Sequence, residues 1–227
     1  PKPNLTRFWL QNCQGMVTAQ DINRFHFEME QYLDNNIHYM AFTESRLNPN
    51  HTKTTYDIEH GFNHLVSHGR IDLANTPGFN PHSAFQPGGV VSAFHGRISN
   101  RYTKTVRDKA GRWIMHEFVG KEKPLRIYSV YRVNPKSARA DTSAWAQQKR
   151  YLQTQDIDED PRKSVINDLL KDVELSVHNG CSVILIGDMN EKLESREKTN
   201  KRLFDIGLHN LMQTKLQTKI LPRTHRR

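Results

Sequence analysis

The pattern of apolar and polar positions predicts a strand, a helix and a second strand at the start of the chain. Residues 7–16 (RFWLQNCQGM) are bulky and aromatic and break at Gly15, which indicates a buried first strand. Apolar residues recur at helical spacing from Asp21 to Leu33, with Asp21 as the N-cap, and residues 37–42 form a short apolar strand. This order favours a layered α/β domain.

The middle of the chain, residues 56–133, predicts consecutive strands rather than helices. Period-2 runs are separated there by glycine and proline, which is typical of strands joined by turns. The clear runs are residues 89–94, 113–119 and 125–133. Because the connections between them are short, we expect antiparallel neighbours.

The last third predicts helices around one strong strand. Residues 141–155 are polar and glutamine-rich, either a helix or a linker, and residues 161–178 carry one apolar stripe between an Asp160-Pro161 start and an Asn179-Gly180 stop. Residues 182–186 (SVILI) are the most strand-like segment and run into the sequence GDMNE of residues 187–191. A short helix is expected at residues 201–206.

Composition narrows the class of protein. The 227 residues include 33 Lys and Arg against 24 Asp and Glu, a net charge of +9, and such a positive field attracts phosphate polymers or anionic surfaces. No apolar run approaches the ~20 residues that cross a bilayer, so no membrane partner is expected. Two cysteines cannot form a disulfide framework, which favours a reducing, intracellular compartment. One domain is the default for this length.

Polar side chains stand where apolar strands give way to loops, namely Asn12, Glu44, Asp188 and Asn190. Asp188 and Asn190, two apart on an extended backbone, point to the same face. A carboxylate can deprotonate a water and an amide can donate to a phosphoryl oxygen, while Glu44 suits Mg²⁺, which takes oxygen ligands. Each residue alone is more often a solvent-facing turn residue than a functional one.

Taken in order, five segments resemble the endonuclease/exonuclease/phosphatase family of metal-dependent phosphodiesterases. The nearest resemblance within it is to the endonuclease domain of non-LTR retrotransposon reverse transcriptases and to abasic-site endonucleases. The segments span most of the chain: residues 11–15 (QNCQG), 42–45 (FTES), 87–90 (PGGV), 130–134 (VYRVN) and 186–190 (IGDMN).

The resemblance implies a fold and a reaction. The fold is an α/β four-layer α/β/β/α sandwich of two packed mixed sheets, and the reaction is Mg²⁺-dependent, or Mn²⁺-dependent, nicking of DNA by an activated water that leaves a 3′ hydroxyl. A nuclear location and a fused reverse transcriptase domain are further implications. The alternatives are a lipid, inositol phosphate or poly(A) phosphodiesterase, or a non-catalytic remnant that binds nucleic acid by charge.

The resemblance also assigns roles to single residues. Asn12 and Glu44 match metal-binding positions, Asp188 the residue that activates water, and Asn190 the residue beside the scissile phosphate. Tyr131 matches a phosphate contact and Asn134 a further polar contact, although core packing also explains a tyrosine on an alternating strand. Arg132 either holds a backbone phosphate or is a solvated strand residue.

Two departures from the family pattern stand out. Gln14 stands where the family has an acidic residue. Because glutamine carries no charge, we expect this position to contribute less to metal affinity. The family's last strand with its Asp, and the Ser-Asp-His segment after it, have no counterpart, so we expect residues 1–227 to be one domain lacking its final strands. His225 does not match the catalytic histidine.

A separate histidine set, His60, His64 and His68, falls at i, i+4 and i+8. On a helix this spacing would line up zinc ligands, but Gly61 and Gly69 argue against a helix and the expected acidic and cysteine ligands are missing. A zinc site is therefore not expected.

Overall fold

The computed structural model describes residues 5–16, 22–78, 80, 82–135, 142–191, 199–211 and 215. Within them the chain forms, in order, β1 (Phe8–Asn12), α1 (Ile22–Asp34), β2 (Tyr39–Thr43), α2 (Thr52–Leu65), β3 (Arg70–Ala74), β4 (Val90–Phe94), a 3-10 helix (Gly96–Arg101), β5 (Tyr102–Arg107), β6 (Trp113–Phe118), β7 (Leu125–Tyr131), α3 (Ala144–Thr154), α4 (Pro161–His178), β8 (Ser182–Asp188) and α5 (Thr199–Asp205).

Two four-stranded mixed sheets pack face to face. The first has the order β1-β2-β4-β3, with β1 and β2 parallel and the other pairs antiparallel. The second has the order β5-β6-β7-β8, with only β7 and β8 parallel. Tyr39 and Phe94 of the first sheet pack against Phe118 and Ile127 of the second. The predicted pair of mixed sheets is confirmed.

Helices cover the outer faces of the sandwich. In α1, Phe25 and Met29 are buried in one cluster with Met40 and Phe42 of β2, and α2 contributes Phe62 to the same cluster. On the other side α4 buries an apolar stripe against β6 and β7, made of Val165, Ile166, Leu169, Leu170 and Val173. The layers therefore follow the predicted α/β/β/α order.

Helix α2 shows that the expectation of strands throughout residues 56–133 was wrong. His51 caps this helix by accepting a hydrogen bond from Thr54 N at 3.3 Å, and Ile58 and Phe62 are buried one turn apart. Gly61 is buried within the helix, so it marks close packing rather than a break.

Two further sequence expectations are corrected. β4 and β6 lie in different sheets, so the three middle runs are not all neighbours. β1 is an edge strand of its sheet, and Trp9 is 42% exposed, so the first strand is not fully buried.

The proposed caps of α4 are confirmed, since the side chain of Asp160 accepts from Arg162 N and Asn179 ends the helix.

Some expectations fall on other parts of the chain. Asp21 as a cap and His225 lie outside the described residues. Of the helices the structure describes, none is long and apolar enough to cross a membrane. The described residues, His60, His64 and His68 among them, also contain no group of three or more His, Cys, Asp or Glu side chains placed to hold a metal ion.

Candidate functional site

The carboxyl ends of both parallel strand pairs lie at one edge of the sandwich, which we call the apical edge. Asn12 at the end of β1 pairs in register with Thr43 at the end of β2, and Tyr131 pairs with Asp188 in the other sheet. Glu44 follows Thr43 directly. Because the two sheets face each other, these strand ends meet across the gap between them.

Asn12 and Asp188 make the contact that joins the two sheets at this edge. Asn12 Nδ2 donates to Asp188 Oδ2 at 2.8 Å, and Asn12 Oδ1 accepts from Gln14 N at 3.1 Å. Asp188 Oδ1 accepts from Asn190 N at 3.0 Å. Among the described residues, each carboxylate oxygen of Asp188 thus has one donor, and each can accept a further hydrogen bond from a water or a substrate group.

Glu44 accepts two hydrogen bonds from the β7 end. Tyr131 OH donates to Glu44 Oε1 at 3.0 Å, and Asn134 Nδ2 donates to the same oxygen at 3.3 Å. Burial, followed by the negative charge of Glu44 and its hydrogen bond, raises the pKa of Tyr131 well above its ordinary value, and Asp188 adds to the effect. Tyr131 therefore stays protonated and acts as a donor.

Tyr131 is also a core residue. Its ring packs with Ala74, Val90, Ile114 and Val133, and the residue is only 3% exposed. The sequence left packing and a polar role open, and the structure shows both, since the ring is buried while the hydroxyl reaches Glu44. Its direct contact with a phosphate stays a prediction.

The site loops hold an unusual share of strained backbone. Among the described residues, seven that are not glycine have positive φ, and four of them are Gln14 (49°), Glu44 (52°), Arg46 (57°) and Asn190 (44°). Such left-handed residues cost of order 1–3 kcal/mol each and cluster at functional sites. In this protein the strain falls on the residues that follow β1, β2 and β8.

The Pro87-Gly88-Gly89 segment is hydrogen-bonded to the loop that carries Glu44. Ser45 N and Arg46 N donate to the carbonyls of Gly89 and Gly88 at 3.4 and 2.8 Å. Gly89 has φ of 92°, and a Cβ there would stand 2.6 Å from Ser45 Oγ. Only glycine fits this close approach, which gives the motif seen in the sequence a physical role.

Arg132 has neither of the roles expected from the sequence. It is 3% exposed, and its guanidinium donates to Glu191 Oε2 at 2.9 Å and to the Arg162 carbonyl at 3.1 Å. A side chain so buried is neither solvated nor presented to a backbone phosphate. Its backbone carbonyl instead accepts from Asn190 Nδ2 at 2.7 Å, so Arg132 positions the Asn190 loop.

The same interior support includes Arg162 of α4. Its guanidinium donates to the Val133 carbonyl at 2.5 Å and to the Asn190 carbonyl at 3.0 Å. One amide hydrogen of Asn190 is used by Arg132, which leaves the second N–H of its Nδ2 for a ligand. Two buried arginines therefore hold the loop that follows β8.

Arg46 is a candidate that sequence reasoning missed. It is half-buried, its Cδ lies 3.4 Å from the position of a Cβ on Gly15, and its positive charge opposes the rise in the pKa of Tyr131. A cation at this place is suited to an anionic ligand. Its position two residues after Glu44, at a strand end, was the available signal.

The donor set fits a hard divalent cation. Glu44 can supply carboxylate oxygens and Asn12 an amide oxygen, with the Asp188 carboxylate beside them, and oxygen ligands of this kind are the ones that Mg²⁺ and Mn²⁺ prefer. Because Gln14 is uncharged, only two acids would offset the charge of the ion. Waters would complete the coordination, as is usual for Mg²⁺.

Comparison with known proteins shows the fold. No family model and no curated protein matches the sequence. Among solved structures, the chain is similar to an AP endonuclease from Archaeoglobus fulgidus, with a TM-score of 0.56, 11% identity, 92% of this chain and 74% of that chain covered. It is also similar to a β-hairpin deletion mutant of β toxin from Staphylococcus aureus, with a TM-score of 0.50, 10% identity, and 90% and 73% covered.

These likenesses define the class of structure. The two packed mixed sheets with flanking helices are the endonuclease/exonuclease/phosphatase fold, as the sequence motifs predicted. Identities of 10–11% show a shared fold only. The chemistry of this chain depends on the residues at its own apical edge.

Proposed function

We propose that this chain is a metal-dependent phosphodiesterase that acts on nucleic acid, and that its substrate is DNA. The observation that carries the proposal is the meeting of Asn12 and Asp188 at 2.8 Å, with Glu44 held beside them by Tyr131. Three acidic or amide side chains from three different strand ends, those of β1, β2 and β8, converge on one edge, where a phosphate and a cation can be held together.

Each residue has a role that its geometry allows. Glu44 and Asn12 would hold the Mg²⁺ or Mn²⁺, which would neutralise charge on the phosphoryl oxygens. Asp188 orients a water and accepts its proton while the water oxygen attacks phosphorus and the bond to the 3′ oxygen breaks. The departing 3′ oxygen takes a proton from solvent water, which leaves a 3′ hydroxyl and a 5′ phosphate. The second N–H of Asn190 Nδ2 and the Asn134 amide donate to phosphoryl oxygens.

The choice of nucleic acid rests on charge and on the fold. The net charge of +9 suits a phosphate polymer better than a small phosphate ester. The likeness to an AP endonuclease agrees with DNA, although that activity is a property of the archaeal protein. The retroelement relationship, the fused reverse transcriptase and a nuclear location belong to this proposal and follow from the sequence motifs alone.

The reaction is tested by nicking of supercoiled plasmid in water enriched in ¹⁸O. In a chain that also carries the family's final strands, we expect conversion to the open circle with Mg²⁺ or Mn²⁺, no conversion in EDTA, and one ¹⁸O on the 5′ phosphate of the nick. A protein that binds the plasmid but never nicks it with either metal would identify the non-catalytic alternative and refute the proposal. Label on the 3′ side would refute the assigned direction of cleavage.

A further inference from the structure

Arg46 differs from the other buried or half-buried cations of the described chain. Its guanidinium is half-buried and has neither a hydrogen bond nor an ion pair to any described residue. Each of the six other such cations bonds to an acid or to a backbone carbonyl: Arg70 to Asp72, Arg112 to Asp108, Arg126 to Glu117, Arg132 to Glu191, Lys149 to Asp158 and Arg162 to the Val133 carbonyl. A partly desolvated charge without a partner costs free energy, which a bound anion would recover.

The backbone around Arg46 determines where its side chain lies. Arg46 N donates to the Gly88 carbonyl at 2.8 Å, and the Arg46 carbonyl accepts from Gln86 N at 2.9 Å. A Cβ on Gly15 would lie 3.4 Å from Arg46 Cδ and 4.0 Å from Nη1, so the side chain passes over a glycine of the loop after β1. Arg46 therefore reaches from the loop after β2 to the loop after β1.

The two loops that Arg46 joins carry the proposed metal ligands. Asn12 ends β1, Glu44 follows β2, and Gly15 N donates to the Glu44 carbonyl at 2.8 Å. Burial raises the pKa of Tyr131 and the charge of Arg46 opposes this rise, so Arg46 acts electrostatically on the hydroxyl that donates to Glu44. A cation in this position repels a divalent ion at Glu44 and attracts a phosphate beside it.

The described structure gives Arg46 no partner at Glu44. The hydrogen bonds to the Glu44 carboxylate come from Tyr131 OH and Asn134 Nδ2, at 3.0 and 3.3 Å, and both end on Oε1. Within the described residues the guanidinium therefore does not hold the carboxylate in place, and its donors are available to a ligand.

We propose that Arg46 binds a backbone phosphate of DNA at the apical edge, and that its charge makes phosphate and metal bind cooperatively. The guanidinium donates charge-assisted hydrogen bonds to phosphate oxygens, and the phosphate neutralises the cation that otherwise opposes a metal at Glu44. The inference rests on the proposed function for the identity of its ligand. It requires that loss of the Arg46 charge weakens DNA binding without metal and strengthens metal binding without DNA.

The test measures each ligand separately, so that no turnover is involved. Fluorescence anisotropy of a short duplex in EDTA gives the DNA affinity at several salt concentrations, and electron paramagnetic resonance of Mn²⁺ gives the metal affinity without DNA. The wild type is compared with Arg46→Gln, with Arg46→Lys, and with Arg101→Gln as a matched loss of one charge. Arg101 is exposed and precedes β5, at the end of the sandwich where β7 begins. Urea unfolding checks that each variant is folded.

Arg46→Gln should bind the duplex roughly tenfold more weakly than the wild type at low salt, since it loses a hydrogen bond to a charged group. The slope of log affinity against log salt should become shallower by ~0.9, the value for one phosphate contact. Its Mn²⁺ affinity should rise several-fold. Arg46→Lys should keep the salt slope and the Mn²⁺ affinity of the wild type, and lose part of the duplex affinity along with the planar fork of donors. Arg101→Gln should match the wild type in both affinities.

Three results would overturn this inference. If both affinities fall in Arg46→Gln, the role of Arg46 is structural. If its duplex affinity is no lower than that of Arg101→Gln, only net charge matters. If its Mn²⁺ affinity is unchanged, phosphate and metal are not coupled through Arg46. Weaker duplex binding together with tighter Mn²⁺ binding supports the inference even in a protein that never nicks plasmid, and the missing activity would then count only against the proposed enzyme.

Discussion

Asn12 and Asp188 lie 176 positions apart in sequence, and their side chains meet at 2.8 Å, where the amide of the first strand donates to the carboxylate of the last described strand. Each residue ends an edge strand of a different sheet. The contact therefore fixes the position of one sheet relative to the other at the place where the chemistry is proposed.

Asn12→Ala should lower kcat for plasmid nicking while changing KM little. Without the amide, Asp188 loses one of its two observed donors and the orientation that this donor imposes. A lost hydrogen bond to a charged group corresponds to about 1.5–3 kcal/mol, or roughly a tenfold to hundredfold change in rate. Steady-state kinetics at saturating Mg²⁺ measures both constants. A rise in KM alone would contradict a positioning role for Asn12.

Tyr131→Phe should weaken metal binding without unfolding the protein. The change keeps the buried ring and removes the hydroxyl that donates to Glu44 Oε1 at 3.0 Å. The Mg²⁺ concentration for half-maximal nicking should rise several-fold, and stability should fall by only about 0.5–1.5 kcal/mol. Mg²⁺ titrations and urea unfolding measure the two effects. An unchanged Mg²⁺ requirement would show that the hydroxyl does not orient Glu44.

Gly89→Ala should damage the site more than Gly78→Ala does. Both glycines have similar positive φ, 92° and 85°, so both variants carry the same type of backbone strain. A Cβ at Gly89 would collide with Ser45 Oγ at 2.6 Å, next to Glu44, whereas nothing lies within 4 Å of a Cβ at Gly78. The Gly89 variant should lose nicking activity and metal affinity. Equal activity in the two variants would contradict a supporting role for Gly89.

Arg132→Ala should destabilise the protein rather than weaken substrate binding. Removing the guanidinium leaves Glu191, whose side chain is 4% exposed, without that partner, and breaking a buried ion pair of this kind costs about 3–5 kcal/mol. Urea unfolding and KM for plasmid should therefore move differently, with a large loss of stability and little change in KM. The opposite pattern would restore Arg132 as a phosphate ligand.

A buried network makes stability fall on mild acidification. His116 Nε2 donates to Asp72 Oδ2 at 2.9 Å, and burial lowers the pKa of His116 although the Asp72 hydrogen bond opposes this. Because the unfolded chain binds the His116 proton more readily, unfolding free energy should drop below about pH 6.5, by at most about 1.4 kcal/mol per pH unit for one proton. His116→Asn should flatten that slope relative to the wild type in urea unfolding at several pH values. An unchanged slope would assign the pH dependence to other groups.

Local patterns predicted some parts of the molecule well. The stripe of α4 with its Asp160 cap was readable because the apolar spacing and the end signals agree. The SVILI run of β8 and the polar residues at strand ends were likewise visible, because strand ends present side chains from rigid elements. Which strand ends contact one another could not be predicted without knowing the order of the strands in both sheets.

Other parts depend on distant residues and could not be read locally. The middle strands separate into two sheets through long-range pairing. Gly61 is compatible with helix α2 because it is buried there, where the helix packs closely, and its neighbours in sequence give no sign of this. Arg132 is internal only because Glu191 and the Arg162 carbonyl approach it from other elements. A strand residue with a positive charge gives no local sign of such burial.

The most direct test of the proposed site is single-turnover nicking by Glu44→Gln, Asp188→Asn and the double variant, with Glu174→Gln on the exposed face of α4 as the matched control. Circular dichroism confirms that each variant is folded. The proposed roles of Glu44 and Asp188 predict that the control nicks at the wild-type rate in Mg²⁺, and that both single variants lose at least about a hundredfold, the usual scale for removing a catalytic base or a key electrostatic group. Wild-type nicking by the double variant would contradict a catalytic site at Glu44 and Asp188.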